Sequence, residues 1–343
     1  MKLPPEPPEE IKDLDNLKPI DHAVVALPHT PVYKMHRYFA RRPWSVFREL
    51  IKHYSNPGSI VLDPFCGGGV TVFEGLATGR KVVGVDFNPM AVFITRMEAE
   101  IRDIKGLEEA FKTITHKSQG DILELYETAC PQCGGSACAV WIEISVSVRC
   151  YGCGGELRLA DARKLGRAKY ECPSCGSPIN PANSERLDDR LTRIKVKCAR
   201  CQWKGLKQPD SKDIDRAEYI KENWRRMAEH ADLWYPTDPV PRSIEVHGRV
   251  LRRRWFTNFD SFFTPRNLLA LSYLWRAVSC LSPDEVRRAF SFCFSSMLFE
   301  CACRLCHIKS GTVVKPGHHF WPAMTFASNN VWLHFERKFS DLL

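Results

Sequence analysis

No run of about 18 apolar residues occurs anywhere in the 343-residue sequence, which excludes a membrane-spanning helix. The opening stretch "MKLPPEPPEEIKDLDN" is proline-rich and acidic and lacks the apolar segment of a secretory signal. Neither sign of charge dominates. With 49 Lys and Arg against 40 Asp and Glu the net charge is +9, which permits a nucleic-acid partner without requiring one. A hydrophobic content of 44% and an aromatic content of 11% exclude a disordered or fibrous chain. The plentiful residue is cysteine, at fifteen. Without an export signal these read as metal thiolates in a reducing cytoplasm, not as a disulfide framework.

The periodicity divides the chain into an expected lead-in (1–20), an α/β part (21–125), a cysteine region (126–207) and a helical region (208–343). "WSVFRELIKHY" has helical spacing, with Val46, Leu50 and Ile51 on or near one face. "NPGS" reads as a turn. "IVLDPF" and "KVVGVDF" read as buried parallel strands covered on both sides. Each leads into a helix, "VTVFEGLAT" closed by Gly79 and "NPMAVFITRMEAE" capped by Asn88. This strand–helix–strand–helix series opens an α/β sheet, and no further alternation follows it. Beyond the cysteines, "DIDRAEYIKENWRRMAEHADLWY", "TPRNLLALSYLWRAV", "SPDEVRRAFSFCFSSMLF" and "VWLHFERKFSDLL" read as helices, two of them with proline starts.

"DPFCGGGV" places three glycines directly after the first strand. A dinucleotide fingerprint lacks its third glycine, because Val72 stands there. A nucleoside-triphosphate loop is excluded by the absence of Gly-Lys-Ser/Thr. There remain Asp63, Gly67 and Gly69, followed by Asp86 at the tip of the second strand, where a carboxylate can accept both hydroxyls of a ribose. The helix N-terminus behind the glycines favours a carboxylate. Together these suit S-adenosylmethionine.

With these residues the sequence resembles the amino-group DNA methyltransferases, which modify N6 of adenine or N4 of cytosine. "DPFCGGGVT" is similar to their first cofactor motif and "GVDFNP" to their second. "HRYFARRPWSVFRELIKHYSNPGSIVLDPFCGGG", "FTPRNLLAL" and "WPAMTFASNNVWLHFERKF" resemble a subgroup, so the likeness runs from about Tyr33 to Phe339. The resemblance implies that Phe65, Cys66, Gly67, Gly69, Asp86 and Asn88 line the S-adenosylmethionine site, with Asp63 supporting the loop. The implied fold is α/β: an incomplete Rossmann-like class I methyltransferase sheet with an inserted zinc-ribbon region and a helical C-terminal region.

That family also carries Asp/Asn/Ser-Pro-Pro-aromatic, whose polar side chain and backbone carbonyl accept hydrogen bonds from the target amino group while the ring stacks on the flipped base. Here Pro-Pro occurs only at Pro4-Pro5 and Pro7-Pro8, each followed by glutamate, and no Pro-Cys exists for cytosine C5 chemistry. No catalytic residue is therefore assigned. The resemblance sets the tetrapeptide just beyond "VWLHFERKF", and the sequence stops at Leu343. A second polypeptide supplying it, with DNA as substrate and no membrane partner, is the reading. A truncated remnant, a non-catalytic zinc-containing nucleic-acid-binding protein and an RNA methyltransferase part remain open.

Four Cys-x-x-Cys pairs, Cys130/Cys133, Cys150/Cys153, Cys172/Cys175 and Cys198/Cys201, have zinc-knuckle spacing, enough for two structural Zn²⁺ ions. Sequential pairing gives two ribbons and interleaved pairing one intertwined unit; both fit. A ribbon is too small for a core of its own, so metal would supply on the order of 10 kcal/mol per site. "RLTRIKVKCARCQWKGLK" adds a basic surface suited to phosphates. Weaker signals are "CACRLCH", with Cys301, Cys303, Cys306 and His307 as a third metal set or a buried helix end, the basic run "RVLRRRW", and the pair His318 and His319.

Overall fold

The structure is a computed structural model and describes residues 18–38, 40–101, 104–166, 169–241, 245–246, 249–250, 256–302, 304, 307–309, 312–314 and 323–343. The chain divides into two compact units, 1–103 and 104–343. The second unit therefore starts well before the boundary expected at 125. It also joins the cysteine region to the C-terminal helices, which had been expected apart.

The first unit contains α1 (Pro31–Met35), α2 (Trp44–Tyr54), β1 (Ile60–Asp63), α3 (Val70–Ala77), β2 (Lys81–Gly84) and α4 (Pro89–Glu100). β1 and β2 pair in parallel, with Leu62 beside Val83 and Asp63 beside Gly84. α3 ends as the sequence predicts. Gly79 takes a positive φ, and the Arg80 amide returns to the Gly75 carbonyl. Gly75 lets this helix lie against the sheet, since a Cβ there would come within 2.5 Å of Val82 Cγ2. Only that face is covered. On the other, Ile60 is 71% and Leu62 63% exposed, and Val83 and Val85 are each about half exposed. The expectation of strands buried on both sides is thus corrected. With two strands, the helices of this unit suffice for one face.

Beneath the covered face lies a polar network. Tyr33 donates to Glu74 Oε1 at 2.5 Å and Arg48 Nε to Glu74 Oε2 at 2.5 Å. Arg41 and Glu98 form an almost fully buried ion pair at 2.9 Å. Burial pushes the Glu98 carboxyl up to about 7, against the pull of Arg41.

The second unit starts with α5 (Leu107–Glu124) and continues through β3 (Glu127–Ala129), β4 (Ser136–Arg149), β5 (Glu156–Arg158), β6 (Arg163–Gly166), β7 (Lys169–Glu171), β8 (Pro178–Ile179), β9 (Arg186–Lys197) and β10 (Lys204–Lys207). α6 (Ser211–His230), β11 (Glu245–Val246), β12 (Arg249–Val250), α7 (Pro265–Ser279), α8 (Asp284–Cys301), β13 (His307–Lys309), β14 (Thr312–Val314), β15 (Thr325–Asn329) and α9 (Val331–Leu342) complete it. The four helices expected after the cysteines are α6 to α9. α6 has a capping box between Asp210 and Asp213 and stops at His230, short of the expected "ADLWY".

One sheet organises this unit, in the order β10-β9-β4-β15-β13-β14, with β3 and β5 also paired to β4. β4 and β9 form a long antiparallel ladder, and β15 adds to the other edge of β4. β4 is buried from Trp141 to Val148, opposite buried Ile194 and Val196. The cysteine region therefore has a core, contrary to the expectation for an isolated ribbon. A C-terminal strand, β15, extends the same sheet along the free edge of β4.

α9 docks through Trp332, Phe335 and Phe339, spaced for one helical face. Phe339 stacks on Phe111 of α5 at 4.1 Å between ring centroids and on Phe290 of α8 at 5.6 Å. Asn267 on α7 joins this layer to β15. Its Oδ1 accepts from Tyr126 Oη at 2.9 Å and from Ser328 Oγ at 2.6 Å, and its Nδ2 donates to the Asn329 carbonyl at 2.9 Å. The segments "FTPRNLLAL" and "FASNN" thus meet in one buried hub. Asn267→Ala leaves several buried groups without partners at a cost of about 3 kcal/mol. The melting temperature is expected to fall by about 10 °C in a thermal scan; a shift within 2 °C would contradict this role.

Candidate functional site

The glycine loop between β1 and α3 is held from both sides. The Val85 amide donates to the Asp63 carbonyl at 2.8 Å and the Cys66 amide to the Val85 carbonyl at 2.9 Å, extending the parallel ladder. Asp63 Oδ1 accepts from the Phe65 amide at 3.0 Å, so this side chain forms the turn itself. Asp86 faces the loop: Oδ2 accepts from the Gly67 amide and Oδ1 from the Asn88 amide, both at 2.8 Å. Those amides, Asn88 first, hold the exposed carboxyl below its usual range. Each oxygen keeps a second lone pair for a ligand hydroxyl. Asn88 Oδ1 caps α4, accepting from the Met90 amide at 3.0 Å.

Gly67 and Gly69 take positive φ, and the crowding at the glycines comes from the protein itself. A Cβ on Gly67 would approach Tyr38 Cε1 to 3.1 Å, one on Gly68 would approach Arg41 Nε to 2.9 Å, and one on Gly69 would approach Thr95 Oγ1 to 2.8 Å. Thr95 Oγ1 donates to the Gly67 carbonyl at 3.1 Å. The Gly67 and Gly69 conformations need glycine, and the second layer of Tyr38, Arg41 and Thr95 excludes larger residues. Gly69→Ala combines a left-handed strain of about 1 kcal/mol with the Thr95 overlap. Hydrogen exchange at the Gly67 amide is expected to speed up about tenfold; unchanged protection would contradict the account.

Tyr38, Arg41 and Thr95 were not among the site residues read from the sequence. Tyr38 and Arg41 lie in "HRYFARRP", whose side chains pack on the loop 27 to 29 positions later, and Thr95 comes from α4. Tyr38 also reaches Asn88, and burial first, then the nearby Asp86 charge, raises its hydroxyl pKa. Cys66 is buried with its thiol pKa raised, mainly by burial, so it packs beneath the loop and presents no reactive thiolate. Phe65 is 85% exposed and Phe87 fully so, which gives the loop two bare rings on either side of Asp86 in sequence. Phe87 was missed because an apolar residue after a strand tip reads as strand.

The eight paired cysteines gather into two groups, Cys130/Cys133/Cys198/Cys201 and Cys150/Cys153/Cys172/Cys175, each with its sulfurs within 4.8 Å of one another. Neighbouring Sγ separations are 3.6 and 3.8 Å in the first group and 3.7 and 3.9 Å in the second. Four sulfurs about 2.3 Å from a common centre stand about 3.8 Å apart at the edges of a tetrahedron, so both groups fit a tetrahedral thiolate-bound ion.

The pairing is nested, neither sequential nor interleaved. Antiparallel pairing of β4 with β9 sets the start of one strand beside the end of the other, so the outer knuckles meet and the inner knuckles meet. The two groups lie at opposite ends of this ladder, about 40 Å apart along β4. Each knuckle is a hairpin closed by backbone bonds, such as Cys130 N to the Gly135 carbonyl at 2.8 Å. Gly134, Gly154 and Gly176 take positive φ after the second cysteine, and Gln202 takes it in the fourth knuckle. In the second group the Ser177 hydroxyl and amide lower Cys175 to about 6, which favours a thiolate ligand.

Cys303, Cys306, His318, His319 and residues 251–255 of the basic run lie outside the described residues. Cys301 is buried at the end of α8, as the helix-end reading expected.

Residues 9–96 match the profile of the DNA methylase family. Over 78 residues the chain is 31% identical to the DNA adenine methyltransferase YhdJ of Escherichia coli (strain K12), covering 23% of this chain and 26% of that protein. Over 88 residues it is 25% identical to the type II methyltransferase M.MjaII of Methanocaldococcus jannaschii, covering 26% of this chain and 17% of that protein. The alignments thus span about a quarter or less of each relative's length. No solved structure matches. The amino-methyltransferase resemblance read from the motifs holds for the N-terminal part of the chain.

Proposed function

We propose that this chain is the S-adenosylmethionine-binding part of a DNA methyltransferase acting on an exocyclic amine, N6 of adenine or N4 of cytosine. The observation that carries the reading is the glycine loop tied to Asp86 at the tip of β2, within the segment that matches the DNA methylases. S-adenosylmethionine would supply an electrophilic methyl group. The Asp86 lone pairs left by the Gly67 and Asn88 amides accept the ribose hydroxyls. The exposed Phe65 and Phe87 rings offer apolar surface to a purine, and the α3 N-terminus at Gly69 favours the carboxylate of the methionine end. Asp63, Tyr38, Arg41 and Thr95 hold the loop in shape. Cys66, which packs beneath the loop, and Asn88, which also caps α4, belong to the same cofactor site in this reading.

The group that would orient a target amine is carried by a second polypeptide in this reading. Two features support it: no Asp/Asn/Ser-Pro-Pro-aromatic occurs in the sequence, and the outer face of β1 and β2 is apolar and open. Ile60, Leu62, Val83 and Val85 are the side chains that further strands or helices of a partner would cover, at about 1.5–3 kcal/mol for each one fully buried. The two thiolate groups hold structural Zn²⁺, closed by four protein ligands each. Their basic surroundings on β9 and β10 face DNA phosphates. No helix among the described residues is long and apolar enough to cross a membrane.

Equilibrium titration of the full-length, metal-loaded chain with S-adenosylmethionine tests the cofactor assignment. One site per chain, competed by S-adenosylhomocysteine, is the expected result. Absence of binding at millimolar cofactor would remove the assignment.

A further inference from the structure

The second unit holds a cavity of about 880 Å³, within the size range of small-molecule sites, to which the cofactor loop contributes nothing. Its walls are one face of β4 and β9, the 214–224 face of α6 and the N-terminus of α7. The rim carries ion pairs that balance, among them Lys221 with Asp188 and Arg158 with Asp161 at 2.5 Å. The deeper wall is different. There Asp189 pairs with Arg304 at 2.7 Å, and Arg186, which does not line the cavity, also pairs with Asp189. Thr264, Pro265 and Arg266 bring the first turn of α7 to the same wall, adding the positive end of a fifteen-residue helix. Beside them Leu191 and Ile214, neither of them buried, give apolar surface. Ser147, fully buried on β4, has a hydroxyl with no hydrogen-bond partner at the cavity wall. A buried hydroxyl, a cationic end and an apolar side at one cavity are the contacts that an amphipathic anion requires.

We propose that this cavity binds a nucleotide unit, its phosphate at the α7 N-terminus and Arg304, its base and sugar along Leu191 and Ile214, with a polar edge toward Ser147. A compact anion alone would leave the apolar wall unfilled, and an apolar ligand alone would leave the cationic end without a counter-charge. The choice of a nucleotide over other amphipathic anions rests on the DNA reading above. The nucleotide comes either from a DNA strand, with one residue turned into the cavity, or from the free pool.

Calorimetric titration of the full-length, metal-loaded chain with deoxyadenosine monophosphate, deoxyadenosine and a five-nucleotide single-stranded DNA tests the site. Removing the phosphate and replacing the guanidinium in Arg304→Gln are each expected to weaken binding about 10- to 100-fold, the loss of a charge-assisted contact. Ala217→Trp, on the half-exposed side of α6, fills the cavity without disturbing a buried partner and is expected to abolish binding. Monophosphate binding with both sensitivities supports a free-nucleotide site. Oligonucleotide binding weakened by Arg304→Gln and abolished by Ala217→Trp, with no monophosphate binding, supports a strand site. Binding of neither probe, or binding that ignores both variants, overturns the proposal. S-adenosylmethionine titrated into the same samples reads the cofactor loop separately, so failure of that assignment is distinguishable from failure of this one.

Discussion

Cys130→Ser combined with Cys198→Ser is expected to remove one of two bound metal equivalents and to unfold the 104–343 unit at room temperature. A structural thiolate site contributes on the order of 10 kcal/mol. The net stability of a domain is about 5–15 kcal/mol, so the loss is comparable with the whole. This group closes the end of the β4–β9 ladder where β3 and β10 also join, and both replaced thiols are buried. The matching change in the other group, Cys153→Ser with Cys175→Ser, strikes exposed thiols beside the small β6–β7–β8 sheet. It is expected to release its metal and loosen that hairpin while α5 to α9 stay folded. Metal content by atomic emission and far-ultraviolet circular dichroism separate the two cases. Full metal content in either double variant would contradict the ligand sets. Equal unfolding in both would contradict the assignment of the first group as the structural keystone.

The second large effect is at Asp86. Asp86→Ala is expected to weaken S-adenosylmethionine binding by more than about 100-fold, since it removes two charge-assisted acceptors and the tie to the loop. Asp86→Asn separates these contributions. Its single carbonyl oxygen can accept one of the two bonds, so an intermediate loss of about tenfold is expected. The carboxyl sits below its ordinary range, which means that it stays charged, and the loop closed, down to more acid pH than an unperturbed aspartate allows. Loop protection is then retained above the usual aspartate range and lost as pH falls through the lowered value. A titration unchanged by Asp86→Ala would locate the cofactor elsewhere.

How much of this was readable in advance varies with the physics of each element. The helices α6 to α9 were legible because proline starts, a capping aspartate and apolar periodicity act locally. The parallel pair β1–β2 was legible as strands, and its burial was misjudged. An apolar run looks the same whether its cover comes from its own unit or from elsewhere, and Ile60 and Leu62 lie open here. Four knuckles could be counted from Cys-x-x-Cys spacing, yet their nesting depends on β4 pairing with β9, a contact between residues about fifty positions apart. The signal for it was the similar length of two strand-like runs, "SACAVWIEISVSVR" and "RLDDRLTRIKVK", between the outer and inner pairs. Asp63, Gly67, Gly69 and Asp86 were legible because turn and ribose chemistry demand those residue types. Tyr38, Arg41 and Thr95 were not, because they act on the loop through packing from distant segments. The cavity beside α7 draws on residues from Ile144 to Ser328, and no local pattern announces it.

The most direct test of the central claim follows methyl groups. The chain is incubated with labelled S-adenosylmethionine and DNA, alone and together with a polypeptide that carries Asp/Asn/Ser-Pro-Pro-aromatic and binds it. The account predicts no label in DNA with the chain alone. It predicts label at N6 of adenine or N4 of cytosine with both, abolished by Asp86→Ala in this chain. Methylation by the chain alone, or by the pair irrespective of Asp86, would contradict it.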